Sequence, residues 1–344
     1  MVHRAPSDFL LASEEVVTRS VGRKKAPPAV RVNVFSPPAV LIGCHQYLRA
    51  EVNLEKARER GFDINRRCTG GGAILMYDDT PGWEIWVPEE FVRGLSIEQM
   101  YEELSKPVVY ALRELGVDAK FRPKNDIEVS GRKISGMGVY TEAGGVMLCG
   151  TLLLDFDLEA MLEVLKLPIE KISDKAIRTF EERITTVARE TGRKPSIDEV
   201  RRLVREGVER EFGVELVDAD LAQGEREELR ETIKKYRSDE WIYGERDCSS
   251  FARSFVAKTP GGLFRVYAKV VEGVIESVVI TGDFFAYPPE VVLDVEASLK
   301  WTRADRESVL EAVRSALERK GGYIMGVSAE DLADLVLKAC GACS

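Results

Sequence analysis

Three consecutive glycines that follow a pair of arginines form the densest group of chemically useful residues in this sequence. The stretch is RRCTGGGAIL, residues 66–75. Glycines weaken regular structure, but they let backbone N–H groups approach an anion closely. Arginine supplies a charged fork that matches phosphate or carboxylate. The stretch therefore indicates an anion-binding loop, and the alternative is a flexible hairpin tip with two solvated arginines.

A second group surrounds a lysine in an apolar strand of small residues. The sequence is KNDIEVSGRKISG, residues 124–136. Lys133 could contact a developing negative charge, while Asn125 and Asp126 offer hard oxygen atoms suited to Mg²⁺ on a nucleotide phosphate. The alternative is an antiparallel hairpin with Gly131 in its turn and an exposed lysine.

A third group is LCGTLLL, residues 148–154, which has the pattern of a buried strand. Gly150 would allow close approach to its backbone, and Thr151 would add a hydroxyl group. The alternative is an ordinary core strand without a binding role.

The elements that must carry these groups follow one another irregularly. Strands are predicted at 29–35, 39–42, 63–67, 72–77, 83–87, 126–129, 133–140 and 146–156. Helices are predicted at 49–60, 96–115, 157–165 and 197–212, the last inside a polar helical stretch from 173 to 224. Because strands and helices are mixed rather than strictly alternating, the pattern favours an α+β fold over a doubly wound sheet.

The last part of the chain predicts a small α+β unit of its own. Strands at 263–271 and 274–280 are joined by Glu272-Gly273, a hairpin signal, and helices follow at 288–299, 305–320 and 329–339. A chain of 344 residues is also long enough for two domains. We therefore predict a large domain at 1–246 and a small C-terminal domain at 247–344.

The composition argues against several classes of protein. The formal charge of −9 gives no basic excess for nucleic acid, and no uncharged apolar run approaches the roughly 20 residues of a membrane helix. The N-terminus lacks the pattern of a signal peptide. The six cysteines are scattered, which indicates reduced thiols in the cytoplasm rather than a disulfide framework.

The three motifs, in this order, resemble those of the lipoate–protein ligase family, within the wider biotin/lipoate ligase and octanoyltransferase fold. RRCTGGGAI resembles the family's lipoate loop, NDIEVSGRKISG its adenylate lysine motif, and CGTLLLDFDLEAM the strand and helix that follow. DEWIYG at 239–244 resembles the segment that closes the large domain, and ITGDFF at 280–285 a strand of the ligases' fused accessory domain. The resemblance implies a class II synthetase-like mixed or antiparallel sheet packed with helices.

The resemblance also implies roles for the matching residues. Lys133 would bridge the acyl carboxyl group and the α-phosphate. ATP and the adenylate would contact Arg67, Gly72, Ala73, Ile74, Leu75, Asn125, Asp126 and Lys133. The lipoyl group would contact Gly70, Gly71, Gly72, Lys133, Gly150 and Thr151. Asp126 would also lie beside the Mg²⁺ of the nucleotide, and His45 matches a motif histidine that is either a ligand contact or a structural residue.

The function that the resemblance implies is ATP-dependent activation of lipoate to lipoyl-AMP, followed by transfer of the lipoyl group to a lysine of a carrier domain. ATP, Mg²⁺ and lipoate would be the small molecules. The protein partner would be a lipoyl domain of a 2-oxoacid dehydrogenase acyltransferase subunit or the glycine-cleavage H protein. Which carrier is modified, and whether octanoate replaces lipoate, stays open.

One departure from the pattern keeps other functions open. The ligases carry histidine where this chain has Cys149, and related transferases hold the acyl group on a cysteine as a thioester. Their cysteines correspond to positions near Lys120 and near Leu167-Pro168, which are not cysteine here. The alternatives are an ATP-independent octanoyl or lipoyl transferase that uses Cys149, and a non-catalytic lipoate-binding protein. Cys340 and Cys343 have the spacing of a redox pair or half a metal site, but a terminal pair of plain thiols is the simpler interpretation.

Overall fold

The computed structural model describes residues 4–166, 182–244, 248, 251–319 and 321–341. The chain divides into two compact units. The first comprises Met1–Leu41, Val52–Asn65 and Ile74–Ser238, and the second comprises Ile42–Glu51, Arg66–Ala73 and Asp239–Ser344. The predicted boundary between residues 246 and 247 lies outside the described residues, so the division into domains 1–246 and 247–344 stays a prediction.

Strands and helices are both abundant in the described chain. The strands are β1 (Arg4–Ala5), β2 (Ala29–Phe35), β3 (Ala39–Ile42), β4 (Asp63–Arg66), β5 (Ile74–Met76), β6 (Gly82–Pro88), β7 (Lys120–Arg122), β8 (Asp126–Val129), β9 (Arg132–Glu142), β10 (Gly145–Thr151), β11 (Arg253–Thr259), β12 (Gly262–Val271), β13 (Val274–Gly282), β14 (Ala286–Tyr287) and β15 (Tyr323–Ile324). The helices are α1 (Ser7–Gly22), α2 (Leu48–Glu51), α3 (Leu54–Glu59), α4 (Ile97–Glu114), α5 (Leu158–Val164), α6 (Val187–Thr191), α7 (Ile197–Phe212), α8 (Gln223–Arg237), α9 (Asp239–Tyr243), α10 (Val291–Leu299), α11 (Arg306–Arg319) and α12 (Ala329–Cys340).

The first unit is built on a mixed sheet of seven strands in the order β1-β2-β6-β10-β9-β8-β7. The β1–β2 pair is parallel and the other neighbours are antiparallel. Helix α1 packs on β6, β9 and β10, while α4 and α7 pack together and contact β10 and β2 respectively. A sheet covered by helices in this way confirms the predicted α+β class.

Local signals explain where the helices of the first unit begin and end. Ser96 and Gln99 form a capping box at the start of α4, and Gly116, at φ +90°, lies just past its end. Ser196 caps α7 by a single hydrogen bond, with its hydroxyl accepting the N–H of Glu199. These predicted boundaries are confirmed to within one or two residues.

A buried ion pair fixes the sheet to α1. Arg31 on β2 lies opposite Glu84 on β6, with Nε 3.1 Å from Oε2, and both side chains are almost fully buried. Arg31 also donates to the hydroxyl of Ser13 on α1, at 2.7 Å. Since an unpaired charge in this position would be costly, the pair specifies how α1 lies across the strands.

The second unit has its own hydrophobic core beneath the sheet β11-β12-β13. Helices α10 and α12 pack against these strands and α11 packs against both helices, so that Phe264, Val266, Ile280 and Phe284 are buried in this core. Glu272 and Gly273 form the β12–β13 turn with φ values of +50° and +78°. The predicted hairpin is therefore confirmed.

Several predicted elements differ from the structure. The helix predicted at 49–60 is two short helices, because Asn53 interrupts the first and caps the second through the N–H of Lys56. The strand predicted to reach residue 156 ends at Thr151. The stretch from 173 to 224 is not helical throughout: Ile184 forms a β-bridge, and residues 167–181 lie outside the described part. Helices α1 and α8 and strand β11 were not predicted.

No helix in the described part of the chain is both long and apolar enough to cross a membrane.

Candidate functional site

Lys133 lies just after the turn of the β8–β9 hairpin, in the first unit. Ser130 and Gly131 form the turn with φ values of +49° and +81°. The register passes from Glu128↔Lys133 to Ile127↔Ser135, so Ile134 is an extra residue on β9. Such a bulge re-aims the neighbouring side chains. The ammonium of Lys133 consequently lies 2.8 Å from Oδ1 of Asp126.

Gly136 provides the space in which the Lys133 side chain lies. Gly136 pairs directly with Asp126 across the two strands. A β-carbon at position 136 would stand 2.5 Å from Cε of Lys133 and closer still to its ammonium. Any residue larger than glycine must therefore push the lysine side chain away from this position.

The backbone of Lys133 is held by a segment that sequence reasoning placed in a helical stretch. The N–H of Lys133 donates to the carbonyl of Arg183, and its carbonyl accepts the N–H of Thr185, both at 2.8 Å. The Thr185 hydroxyl in turn donates to Glu190, which is also paired with Arg132 at 2.9 Å. No local pattern signalled this pairing, because the two segments are about fifty residues apart in the chain.

Asp126 and Asn125 brace the same hairpin. Asp126 accepts from Lys133 through Oδ1 and from Arg122 through Oδ2. The amide of Asn125 donates to the carbonyl of Met137 at 2.8 Å. Both oxygens of Asp126 thus face cations, and no cluster of three metal-ligating side chains occurs among the described residues. The assignment of Asp126 to Mg²⁺ stays a prediction.

The glycine loop lies in the second unit, where Arg67 organises it. The Arg67 guanidinium donates to the carbonyls of Gly70 and Gly72 at 2.7 and 2.8 Å, and to the hydroxyl of Thr69 at 3.1 Å. Three loop residues, Thr69, Gly70 and Gly72, are therefore held by one side chain. Arg67, Gly70, Gly71, Gly72 and Ala73 are brought together here, whereas Ile74 and Leu75 lie on β5 in the first unit.

Close backbone contacts explain why the loop needs glycine. Gly71, at φ +90°, donates its N–H to the carbonyl of Phe284 at 3.0 Å. A β-carbon on Gly71 would lie 2.8 Å from the ring of Phe285, and one on Gly70 would collide with the carbonyl of Phe284. The ITGDFF segment thus packs directly on the glycine loop within the second unit.

The two neighbouring arginines of the motif have different surroundings. Arg66 is buried, and its guanidinium donates to five backbone carbonyls, those of Gly43, Cys44, Gln46, Trp241 and Ile242. The indole N–H of Trp241 returns a hydrogen bond to the carbonyl of Arg66 at 2.8 Å. Arg66 is therefore a structural clamp, and Arg67 is the arginine of the pair that belongs to the loop itself.

His45 is buried in the second unit and stacks on Phe284, with ring centroids 4.8 Å apart. Its carbonyl accepts the N–H of Gly282 at 3.1 Å. These contacts agree with a structural role for this residue, and a ligand contact stays a prediction.

Gly150 and Thr151 end strand β10 in the first unit. A β-carbon on Gly150 would lie 2.6 Å from the indole of Trp83, which is buried and donates to the hydroxyl of Ser135 at 3.2 Å. Packing against Trp83 alone explains a glycine here. The lipoyl contacts of Gly150 and Thr151 stay predictions.

Cys149 lies between Glu84 and Gly138 in the sheet, in the row that contains the buried Arg31–Glu84 pair. Its sulfur is 3.5 Å from the carbonyl of Gly138. The described residues of the first unit include no histidine that could act as a base for it. This environment is that of a strand thiol packed beside a buried ion pair.

Cys340 lies on α12, and burial raises the pKa of its thiol from 9.0 to about 11, while Arg253 opposes the rise. Cys343, the other cysteine of the terminal pair, lies outside the described residues.

Comparison with known proteins defines the family. The profile described as the lipoyl protein ligase A/B catalytic domain matches residues 7–209, which is more than half of the chain. The profile described as the bacterial lipoate protein ligase C-terminus matches residues 249–336. The chain therefore belongs to the lipoyl protein ligase A/B family of enzymes, and the resemblance noted in the sequence is confirmed.

The relatives in this family include both transferases and ligases. Octanoyltransferase LipM of Kyrpidia tusciae is 31% identical over 259 residues, covering 68% of this chain and 94% of LipM. Lipoate-protein ligase LplJ of Bacillus subtilis is 28% identical over 301 residues, covering 87% of this chain and 88% of LplJ. A crystal structure of lipoate-protein ligase A bound with ATP is 25% identical with a TM-score of 0.60, covering 71% of this chain and 99% of that protein.

Proposed function

We propose that this protein is an ATP-dependent lipoate–protein ligase. It activates lipoate to lipoyl-AMP and transfers the lipoyl group to a lysine of a lipoyl carrier domain. The observation that carries this proposal is the position of Lys133, whose ammonium lies over Gly136 and beside Asp126. A carboxylate and a phosphate repel each other, so a reaction between them requires a cation held in a fixed position beside both.

The chemistry explains why a cation and backbone donors suffice. A carboxylate is a poor acyl donor at neutral pH, and adenylation converts it into a mixed anhydride with a good leaving group. The lipoate oxygen attacks the α-phosphorus of ATP, and pyrophosphate leaves with the electrons of the broken bond. Phosphoryl transfer depends mainly on positioning and electrostatics, so no protein nucleophile is needed. Lys133 stabilises the charge that the carboxylate and the α-phosphate share.

The remaining residues take the roles that the family resemblance gives them. Arg67 and the backbone of Gly72 and Ala73 contact the phosphates, with Ile74 and Leu75 continuing the nucleotide-binding strand. Asn125 and Asp126 lie beside the phosphates, where the Mg²⁺ of the nucleotide would add positive charge. Gly70, Gly71, Gly150 and Thr151 take the role of lipoyl contacts. The carrier lysine then attacks the acyl carbon, and AMP leaves.

Three observations favour the ligase over the transferase. The C-terminal residues 249–336 match a lipoate ligase C-terminus, and the alignment with LplJ extends over 87% of the chain, against 68% for LipM. In addition, the residues near Lys120, where the family resemblance puts one of the transferases' cysteines, include no cysteine.

The second candidate is an ATP-independent octanoyl transferase, favoured by the 31% identity to LipM. In that reaction the thiolate of Cys149 would attack the carbonyl of an octanoyl-carrier thioester. The acyl carrier would leave as a thiolate and take up a proton, which replaces the one that Cys149 lost before its attack. A lysine of the lipoyl domain would then attack the thioester on Cys149 and release the free cysteine.

The decisive experiment compares the two acyl sources. Purified protein is incubated with a lipoyl domain and free lipoate, with and without ATP, and separately with octanoyl-carrier thioester without ATP. Intact mass spectrometry follows the lipoyl domain and the enzyme. We expect the wild-type enzyme to modify the lipoyl domain only when both lipoate and ATP are present. The Cys149→Ala variant should modify it to the same extent under the same conditions. An octanoyl adduct on the enzyme that passes to the lipoyl domain without ATP, and that Cys149→Ala abolishes, would replace the ligase by the transferase.

A further inference from the structure

Charged side chains of alternating sign form a ladder across β7, β8 and β9 in the first unit. Lys120 Nζ lies 3.4 Å from Oε1 of Glu128, and Glu128 Oε2 lies 3.4 Å from Nη1 of Arg122. Arg122 Nη2 contacts Oδ2 of Asp126, and Asp126 Oδ1 contacts Lys133 at 2.8 Å. Lys120 pairs with Glu128, and Arg122 with Asp126, directly across the strands. Direct cross-strand partners lie on one face of a sheet, so the ladder runs along one face and ends at Lys133.

The ladder divides the charge of Asp126 between two cations. One carboxylate oxygen faces Lys133, and the other faces Arg122. A carboxylate that has only one cationic partner can bring both oxygens to it and neutralise it more completely. Because Arg122 takes Oδ2, the Lys133 ammonium keeps a larger share of its charge for a substrate anion.

The ladder also carries a net positive charge. Its three cations and two carboxylates sum to +1, and the carboxylates are the more buried members, at 11% and 16% side-chain exposure. Lys133 is 37% exposed at the end of the ladder. The ladder therefore presents a cation rather than a carboxylate where it ends.

We propose that Arg122 is a positioning residue for the activation of lipoate, acting through Asp126 on Lys133. This inference rests on the proposed function, since it assigns Lys133 to the carboxylate and the α-phosphate. Arg122 was not among the residues that the sequence motifs singled out. An exposed charge ladder that only stabilises the strands is the competing explanation, and it predicts lower stability without a change in the chemical step.

The test measures pyrophosphate release with saturating ATP and lipoate, in the full-length protein. Arg122→Gln should lower kcat about tenfold, with the KM for ATP and for lipoate changed less than about twofold. Arg122→Lys keeps a cation beside Asp126 and should recover part of the loss. Arg60→Gln is the matched control: Arg60 is 30% exposed, against 38% for Arg122, and it pairs with Glu163 at 2.6 Å. Its kcat should stay at the wild-type value.

A double-mutant cycle separates action through Asp126 from a general effect on stability. In the Asp126→Asn background, Arg122→Gln should have no further effect on kcat, because the carboxylate through which Arg122 acts on Lys133 is then absent. Arg122→Met keeps the aliphatic part of the side chain and replaces Arg122→Gln if that variant does not fold. If the wild type is active and the Arg122 variant has the same kcat, the inference is overturned. It is also overturned if the effects of Arg122→Gln and Asp126→Asn on kcat are additive. A wild type that releases no pyrophosphate would instead refute the proposed function.

Discussion

Lys133 and Gly136 share one space on the face of the β8–β9 hairpin. The lysine side chain lies where a side chain at position 136 would otherwise be, since a β-carbon there would stand 2.5 Å from Cε of Lys133. The bulge at Ile134 brings this about by turning Lys133 to the side of Asp126. The last glycine of the KISG motif is therefore explained by the lysine three residues before it.

Gly136→Ala tests this relationship. The new methyl group should push the Lys133 ammonium away from Asp126 and lower the rate of adenylate formation about tenfold or more. Stability should change by about 1 kcal/mol or less, because the displaced atoms are the flexible end of a side chain. Pyrophosphate release and urea unfolding measure the two effects. Gly224→Ala in α8 is the control, since nothing lies within 4 Å of its β-carbon. Equal rates for the two variants would contradict the shared space.

Lys133→Ala should fold normally and lose adenylate formation. The side chain is 37% exposed, so its removal costs little packing, whereas loss of the cation should reduce the rate about a hundredfold or more. Lys194→Ala, which removes an exposed lysine paired with Asp79 at 2.7 Å, serves as the comparison. Near-normal pyrophosphate release by Lys133→Ala would end the role proposed for this residue.

Gly150→Ala should destabilise the first unit. Its methyl group would meet the buried indole of Trp83 at 2.6 Å, and overpacking of this kind costs about 1–3 kcal/mol. Urea unfolding measures the loss. In the double variant with Trp83→Phe, the smaller ring should accept the methyl group, so that the two changes together cost less than their sum. Strict additivity would show that the two residues do not share this space.

The thiol of Cys340 should react slowly at pH 8 in the native protein. Burial raises its pKa from 9.0 to about 11, so its thiolate fraction should be about a hundredfold lower than in the unfolded chain. Since the neutral thiol persists until the pH approaches 11, alkylation should accelerate as the pH rises. Iodoacetamide labelling with peptide mapping, in buffer and in urea, gives the two rates. Similar rates in both would contradict the shift and reopen a redox role for this cysteine.

Limited proteolysis should cut first near residue 246, the proposed boundary between domains 1–246 and 247–344. The two fragments should then remain associated, because the second unit contains residues from both sides of the cut. Glu51 is paired with Arg265, and Gly71 donates to Phe284. Size-exclusion chromatography after cleavage measures the association. A first cut within β12 or β13, or separation of the fragments without denaturant, would contradict this prediction.

Much of the fold followed from local patterns in the sequence. The capping box of Ser96, the cap of Ser196 and the Glu272-Gly273 turn each depend on a few adjacent residues, and each predicted element is confirmed. The prediction of a single helix at 49–60 was wrong, because the structure has two short helices separated near Asn53. The residues on both sides of Asn53 are polar and charged, and such a sequence fits one continuous helix as well as two short ones. Helix α1 was missed, although its buried apolar residues lie at helical spacing.

The sequence by itself determined the family, the α+β class and the three motifs, because glycine runs, a lysine among small residues and turn pairs are local chemistry. Only the tertiary structure decided what surrounds each motif residue. In the structure Arg66 donates to backbone carbonyls outside the glycine loop, whereas Arg67 donates to carbonyls within it. The backbone of Lys133 forms hydrogen bonds with Arg183 and Thr185. Arg122 forms an ion pair with Asp126. The physical reason is that these contacts form across strands and between distant segments. Their partners are therefore chosen by the register of the sheet and by packing, which no short stretch of sequence contains.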